Sequence, residues 1–277
     1  MKNDIITGKV LVTGGTSGLG LSLVKLFLKY GYYVVAMGRQ PLKLPGYEEK
    51  FKLFRIDFSD MDQVAIITKK ICETCDFNFV INNAGILSPP DFTPTINGFE
   101  YTFQVNFLSH LLINEIILRK IKDDRLIKIA TVTSPVYRLA DTDLPAQSGV
   151  QGYRPLKVYM SSKLYLTLMC EFIPARHPGL KLQCFSFDPG TFSSGIYRMQ
   201  KKWFRGMYRI ASPFMRSPGK VAKTLIETLI KEEVENGMIC DFRKRLRPVP
   251  VMDVNKKKAF MTACYDIIDP FLNKENY

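Results

Sequence analysis

Residues Thr13-Gly14-Gly15-Thr16-Ser17-Gly18-Leu19-Gly20 stand between an apolar run, Val10-Leu11-Val12, and an amphipathic run from Leu21 to Tyr30. A short branched apolar run, then glycines, then a helical pattern reads as strand, tight turn and helix. Such a junction gathers bare backbone N–H groups and the positive end of a helix dipole at one point, which suits a phosphate. Glycine is needed there because a Cβ would hold the ligand off and because the turn uses backbone angles closed to other residues. Gly14, Thr16, Ser17, Gly18, Leu19 and Gly20 are therefore the first candidate binding residues. The spacing is Thr-Gly-x-x-x-Gly-x-Gly and not Gly-x-Gly-x-x-Gly, so the turn alone leaves a plain strand-to-helix connection open.

The rest of the chain repeats the alternation. Tyr32 to Met37, Phe51 to Ile56, Phe77 to Ile81, Leu126 to Val132 and Leu182 to Phe187 read as strands, being short, β-branched or aromatic and bounded by turns. Between them Met61 to Ile71, Phe99 to Ile121, Leu156 to Phe172 and Gly219 to Lys231 carry apolar residues at helical spacing. This order predicts an α/β protein with a doubly wound parallel sheet, helices on both faces and right-handed crossovers. Ligands bind such sheets at the carboxyl ends of the strands, where the glycine turn lies. At 277 residues a single domain is expected, closing with a short polar C-terminal tail.

No run of about 18 apolar residues predicts a membrane span. Met1 to Gly8 is too short and polar for a signal peptide, so a cytoplasmic protein is expected. The six cysteines are scattered and read as free thiols; Cys72-Glu73-Thr74-Cys75 lacks a second pair, so no metal site is expected. The net charge of +13 suits an anionic partner, whether cofactor phosphate, lipid surface or nucleic acid. Charge alone supports nucleic acid, which is not expected as a partner.

Four further signals fall at predicted strand ends. Asn82-Asn83-Ala84-Gly85 follows the fourth strand, and its small Ala84-Gly85 pair lets a ribose approach the backbone. Asn106 lies in the helix from Phe99, Ser134 follows the fifth strand, and Tyr159 stands four residues before Lys163 on one helix face. Tyr-x-x-x-Lys occurs three times, and context selects among them. Tyr153 precedes Arg154-Pro155 and suits a loop; Tyr197, with Lys201, lies in a basic segment with no strand-end serine before it. Tyr159 opens a helix that continues as Leu164-Tyr165-Leu166 and packs on the sheet. A phenol of pKa about 10 is a poor base at neutral pH, but an ammonium within about 4–6 Å favours the phenolate. Tyr159 can then exchange a proton with an alcohol or carbonyl oxygen that Ser134 holds by hydrogen bond.

Together these residues resemble the short-chain dehydrogenase/reductase family. The likeness rests on Thr13-Gly14-x-x-x-Gly18-x-Gly20, Asn82-Asn83-Ala84-Gly85, Asn106, Ser134, Tyr159-x-x-x-Lys163 and Asp188-Pro189-Gly190-Thr191, in the family's order over residues about 8 to 265. It implies a Rossmann fold, a nicotinamide cofactor and catalytic residues Asn106, Ser134, Tyr159 and Lys163. It further implies that Lys163 binds the nicotinamide ribose, that Asn106 helps hold a water, that Pro189, Gly190 and Thr191 lie beside the nicotinamide, and that Asp57 contacts adenine. The 25-residue separation of Ser134 from Tyr159, with Gln104-Val105-Asn106-Phe107-Leu108-Ser109-His110, looks more like the retinol dehydrogenase branch. The N-terminal membrane anchor common in that branch is not expected here.

An NAD site places an acid at the end of the second strand to accept from the ribose hydroxyls. Here the sequence is Met37-Gly38-Arg39-Gln40, and Arg39 suits a 2′-phosphate, with Ser17 adding a hydroxyl, so NADP(H) is favoured over NAD(H). Residues 191 to 220 carry Phe192, Tyr197, Trp203, Phe204, Tyr208 and Phe214 with seven Lys or Arg and no acid. That composition suits a lid over a lipophilic carbonyl or alcohol substrate, with peripheral contact to a membrane surface. A lid that merely completes the core remains the alternative, as does a catalytically silent dinucleotide sensor or scaffold on the same fold. A homo-oligomer stays open.

Overall fold

Strands covered from two sides must be apolar on both faces. β1 (Lys9–Thr13) and β2 (Tyr33–Gly38) meet that demand, being buried beyond their first residues. β3 (Phe51–Arg55) does not, and exposes Lys52 and Arg55. The computed structural model describes residues 8–140, 152–192 and 215–274. Its further strands are β4 (Phe79–Asn82), β5 (Ile127–Val132), β6 (Leu182–Asp188), β7 (Ile239–Asp241) and β8 (Leu246–Arg247). Among the described residues they form one sheet in the order β3-β2-β1-β4-β5-β6-β7-β8. β1 to β7 run parallel, and β8 turns back antiparallel on β7, so the expected parallel sheet is mixed at this edge. Arg243-Lys244-Arg245 at the β7–β8 turn carries no apolar alternation that would mark a strand pair.

The chain winds outward in one direction from β1 to β3 and in the other from β4 onward. β1 and β4 are therefore neighbours at the switch point, where a crevice opens at the carboxyl ends. One face is covered by α1 (Gly18–Lys29) and α6 (Pro218–Lys231), whose Leu23, Phe27, Val221 and Leu225 pack with Val10, Val34 and Phe185. The other face carries α2 (Met61–Cys72), α4 (Ser109–Lys120), α5 (Pro155–Arg176) and α7 (Val254–Asn273). α2 starts where the Asp60 side chain accepts from Gln63 N at 2.9 Å, and α7 where Asp253 accepts from Lys256 N at 2.8 Å.

Two segments depart from the sequence reading. The long helix expected from Phe99 to Ile121 is a short α3 (Tyr101–Phe103), a π turn over Gln104–Leu108 and then α4. The C-terminal segment holds a helix that the sequence reading did not name, α7, whose Phe260, Met261, Cys264, Tyr265 and Ile268 are buried. The Lys256-Lys257-Lys258 run at its start hides this stripe in the sequence. Of the lid, residues 193–214 lie outside the described residues. All six cysteines are free thiols.

Phe260 joins α7 to the core, its ring 4.4 Å from that of Tyr165 and 5.9 Å from that of Phe107. Phe260→Ala should cost about 3–5 kcal/mol in urea unfolding. Ile66→Ala, at a position 54% exposed on α2, should change stability by less than about 0.5 kcal/mol. Equal effects would contradict this account of α7.

Candidate active site

A cleft of about 380 Å³ opens at the carboxyl ends of the central strands. Its lining includes the glycine turn (Gly14, Thr16, Ser17, Gly18, Leu19 and Gly20), Arg39, Asp57, and Asn83-Ala84-Gly85. Ser134, Tyr159, Lys163 and Pro189-Gly190-Thr191 complete the set named from the sequence. Asn106 does not line the cleft. It is wholly buried one layer behind, with Oδ1 3.3 Å from where a Cβ on Gly85 would lie.

The nucleotide end is shaped by absent side chains. A Cβ on Gly14, where φ is +65°, would come within 2.9 Å of Ala84 Cα, and one on Gly20 would overlap the Gly14 carbonyl oxygen. The turn after β1 is thus pressed against the turn after β4. Thr13 Oγ1 joins the two by accepting from Asn83 N at 2.8 Å and Ala84 N at 3.0 Å, and Asn83 Nδ2 donates back to Thr13 O at 2.8 Å. The first turn of α1 carries no acid, leaving its N-terminus open to an anion. This glycine cradle at a helix N-terminus fits a pyrophosphate-bearing cofactor. Asp57 Oδ1 accepts from Ser59 N at 3.0 Å and Ser59 Oγ at 2.8 Å, which fixes its carboxylate at the cleft rim. Sequence reasoning quoted Thr13 as part of the glycine motif but gave its hydroxyl no role.

At the other end Tyr159 and Lys163 stack on one face of α5. Lys163 Nζ lies 5.7 Å from the Tyr159 ring centroid and donates to Val132 O at 3.2 Å. Burial disfavours its charged form and lowers its pKa from an ordinary 10.5 to about 8. Thr133 Oγ1 donates to Lys163 O at 2.9 Å, tying α5 to the end of β5 just before Ser134. Ser134 itself is extended at the N-terminus of a 3₁₀ turn over Pro135–Leu139, and its hydroxyl makes no capping bond.

Asn106 holds this arrangement from behind. Its Oδ1 accepts from Ile86 N at 2.8 Å, and its Nδ2 donates to Ile86 O and Ser162 Oγ, both at 3.0 Å. Ser162 Oγ in turn donates to Tyr159 O at 2.7 Å. Of the competing tyrosines, Tyr153 precedes α5 and donates to buried Glu100 Oε1 at 3.0 Å; burial, then Glu100, push its phenol pKa up. Its Lys157 is exposed. Tyr197 and Lys201 lie outside the described residues. No group of three or more potential metal ligands gathers among the described residues.

A family model described as short chain dehydrogenase matches residues 8–203. The chain belongs to the short chain dehydrogenase family. This short chain dehydrogenase is 26% identical over 241 residues to retinol dehydrogenase 11 of Homo sapiens, covering 83% of this chain and 75% of that one. It is 25% identical over 204 residues to polyprenol dehydrogenase of Homo sapiens, covering 68% and 62%. A short chain dehydrogenase family protein from Francisella tularensis superposes with a TM-score of 0.67 at 18% identity, covering 85% of this chain and 96% of that one. One from Shigella flexneri complexed with NADP gives 0.64 at 17% identity, covering 87% and 100%. The chain is thus an oxidoreductase acting on an alcohol or a carbonyl, on a Rossmann fold of a family that binds NAD or NADP, with a likeness to the retinol dehydrogenase branch.

The buried lysine makes a testable demand on stability. Below about pH 8 the amine is protonated in folded and unfolded chains alike, and the folded state carries the full cost of burying it. Between about 8 and 10.5 the folded chain releases its proton while the unfolded chain keeps it, so stability rises with pH. Lys163→Met should therefore stabilise the cofactor-free enzyme by about 3 kcal/mol at pH 7, an advantage that shrinks across that window. A pH-independent difference between the two proteins would contradict the assignment.

Proposed function

We propose that this enzyme uses NADP(H) to interconvert a carbonyl and an alcohol on a lipophilic substrate, with Tyr159 as the proton-transfer group. The single observation that carries the reading is the buried Lys163 beside the Tyr159 ring, both lining the cleft. A bound nicotinamide supplies or takes up the hydride. Tyr159 moves the proton at the substrate oxygen, and Ser134 donates a hydrogen bond to that oxygen. Lys163 favours the phenolate and, released from Val132 O, would hold the nicotinamide ribose. Asn106 keeps Ile86 and the Tyr159 turn in place.

The choice of NADP(H) is supported by Arg39 and Gln40 at the cleft where an NAD site carries an acid. Arg39 would pair with the 2′-phosphate and Ser17 would add its hydroxyl, while Gly14, Gly18, Leu19, Gly20 and Thr16 would cradle the pyrophosphate. Asp57 would hold adenine, Asn83, Ala84 and Gly85 the ribose, and Pro189, Gly190 and Thr191 the nicotinamide. A lipophilic substrate is supported by Ile86, Tyr101, Val136 and Phe192 in the wall and by relatives named for retinol and polyprenol. Peripheral contact of a cytoplasmic enzyme with an anionic membrane is supported by Val251 and Val254, 99% and 69% exposed next to Lys256 and Lys258. Among the described residues, no helix is long and apolar enough to cross a membrane.

Titration with the two reduced cofactors should show NADPH bound at least about tenfold tighter than NADH. Arg39→Ala should remove about 1.5–3 kcal/mol of that preference, as expected for a charge-assisted contact. Equal dissociation constants would overturn the NADP(H) assignment. Long isoprenoid aldehydes should be reduced with higher kcat/KM than small polar ketones, and the reverse order would overturn the substrate class.

A further inference from the structure

His110 has no part in the reading above, yet it is wholly buried beneath the cleft and both its ring nitrogens are engaged. Nδ1 lies 2.8 Å from the carbonyl oxygen of Asn106, and Nε2 lies 2.9 Å from Thr13 Oγ1. A carbonyl oxygen only accepts, so Nδ1 carries the proton. Thr13 Oγ1 already accepts from the backbone N–H groups of Asn83 and Ala84, which occupies both its lone pairs. Its one proton is left to donate, to Nε2 at 2.9 Å or to Ile81 O at 3.2 Å. A proton on Nε2 would press a third donor on the Thr13 oxygen, and moving it there from Nδ1 would turn that nitrogen's lone pair toward a carbonyl. A doubly protonated ring would add a buried charge besides. The neutral Nδ1–H tautomer alone satisfies every atom. Burial favours neutrality too, lowering the ring's pKa from an ordinary 6.5 to about 4.

The two ends of this bridge belong to different halves of the active centre. Asn106 sits in the π turn, and its side chain fixes Ile86 and, through Ser162, the carbonyl of Tyr159. Thr13 holds the Asn83–Ala84 turn against Gly14, on the nucleotide side. From the first turn of α4, His110 Nδ1 donates to the Asn106 carbonyl within the π turn, and Nε2 on the other side of the ring meets Thr13 of β1.

We propose that His110 is a positioning residue that locks the Asn106 turn of the helical layer to the cofactor shelf formed by the ends of β1 and β4. It sets the register between the Tyr159–Lys163 pair and the bound dinucleotide without touching either. The kinetic part of this proposal rests on the oxidoreductase reading; the hydrogen-bond part does not.

The test combines imidazole nitrogen NMR on the cofactor-free chain with cofactor titration and steady-state kinetics of three variants. The wild type should show a protonated Nδ1 and an unprotonated Nε2. His110→Phe keeps a ring of similar size and removes both bonds; it should weaken NADPH and NADH alike by at least fivefold and lower kcat at least tenfold at saturating cofactor. His110→Asn retains a short amide donor for the Asn106 carbonyl but cannot span to Thr13, so it should recover much of kcat while cofactor binding stays weakened. His110→Gln reaches toward Thr13 and should show the opposite split. If His110→Phe does not fold, the Asn and Gln pair decides. A protonated Nε2 in the wild type would overturn the bond assignment. Cofactor binding and kcat within twofold of wild type in a folded Phe variant, or identical losses in the Asn and Gln variants, would overturn the positioning role. A wild-type chain that binds neither cofactor would sink the functional reading, while the nitrogen spectrum still decides the bonding.

Discussion

The close approach of two strand-end turns, Thr13-Gly14 after β1 and Asn83-Ala84 after β4, is the constraint on which the rest of the site depends. It occurs where the sheet changes its direction of winding, so no connecting segment crosses there and a crevice is left open. The Gly14 Cα and the Ala84 backbone are too near for a side chain between them, and the Thr13 hydroxyl saturates the amides that would otherwise be left unpaired. The same approach puts the N-terminus of α1, the Asn83–Gly85 turn and the end of β5 around one volume. On the proposed reading, a dinucleotide in this volume would meet backbone at its phosphates and side chains at its nicotinamide end.

That chemistry is held at an energetic cost. Lys163 lies under the cleft floor with one carbonyl partner, Val132 O, and burial shifts it toward the neutral amine. An apolar residue there would make a more stable fold and, on the proposed reading, a worse enzyme, the common exchange between stability and activity at functional sites. The backbone around these side chains is tied down by further bonds. Thr133 holds the Lys163 carbonyl, Ser162 holds that of Tyr159, and Asn106 holds Ser162 and Ile86. Tyr159 and Lys163 therefore hang from a network that is itself buried and hydrogen-bonded.

Much of this could be read from residues alone because the signals are local. Val10-Leu11-Val12 followed by glycines marks β1 and its turn, and the position of Tyr159 within a helix separates it from Tyr153 without coordinates. What escaped has physical reasons. β7 and β8 are three and two residues long and carry no periodicity to detect. α7 begins with three lysines and shows its apolar stripe only further on. The π turn is a matter of hydrogen-bond register, which composition does not encode. Asn106 could be named as important, but that it works from behind Gly85 depends on how β4 and α4 meet. Thr13 and His110, 97 positions apart in sequence, form a pair that only the packed fold brings together.

The central claim is that Tyr159 is the group through which the proton passes, and one substitution addresses it. Tyr159→Phe removes a single hydroxyl from a buried ring and leaves the glycine cradle, Arg39 and Lys163 in place. The account predicts a fall in turnover on the order of 10²–10⁴, the range of a lost general acid, with the cofactor dissociation constant within about twofold of wild type. Turnover preserved in Tyr159→Phe, or lost in Tyr153→Phe or Tyr197→Phe instead, would contradict it.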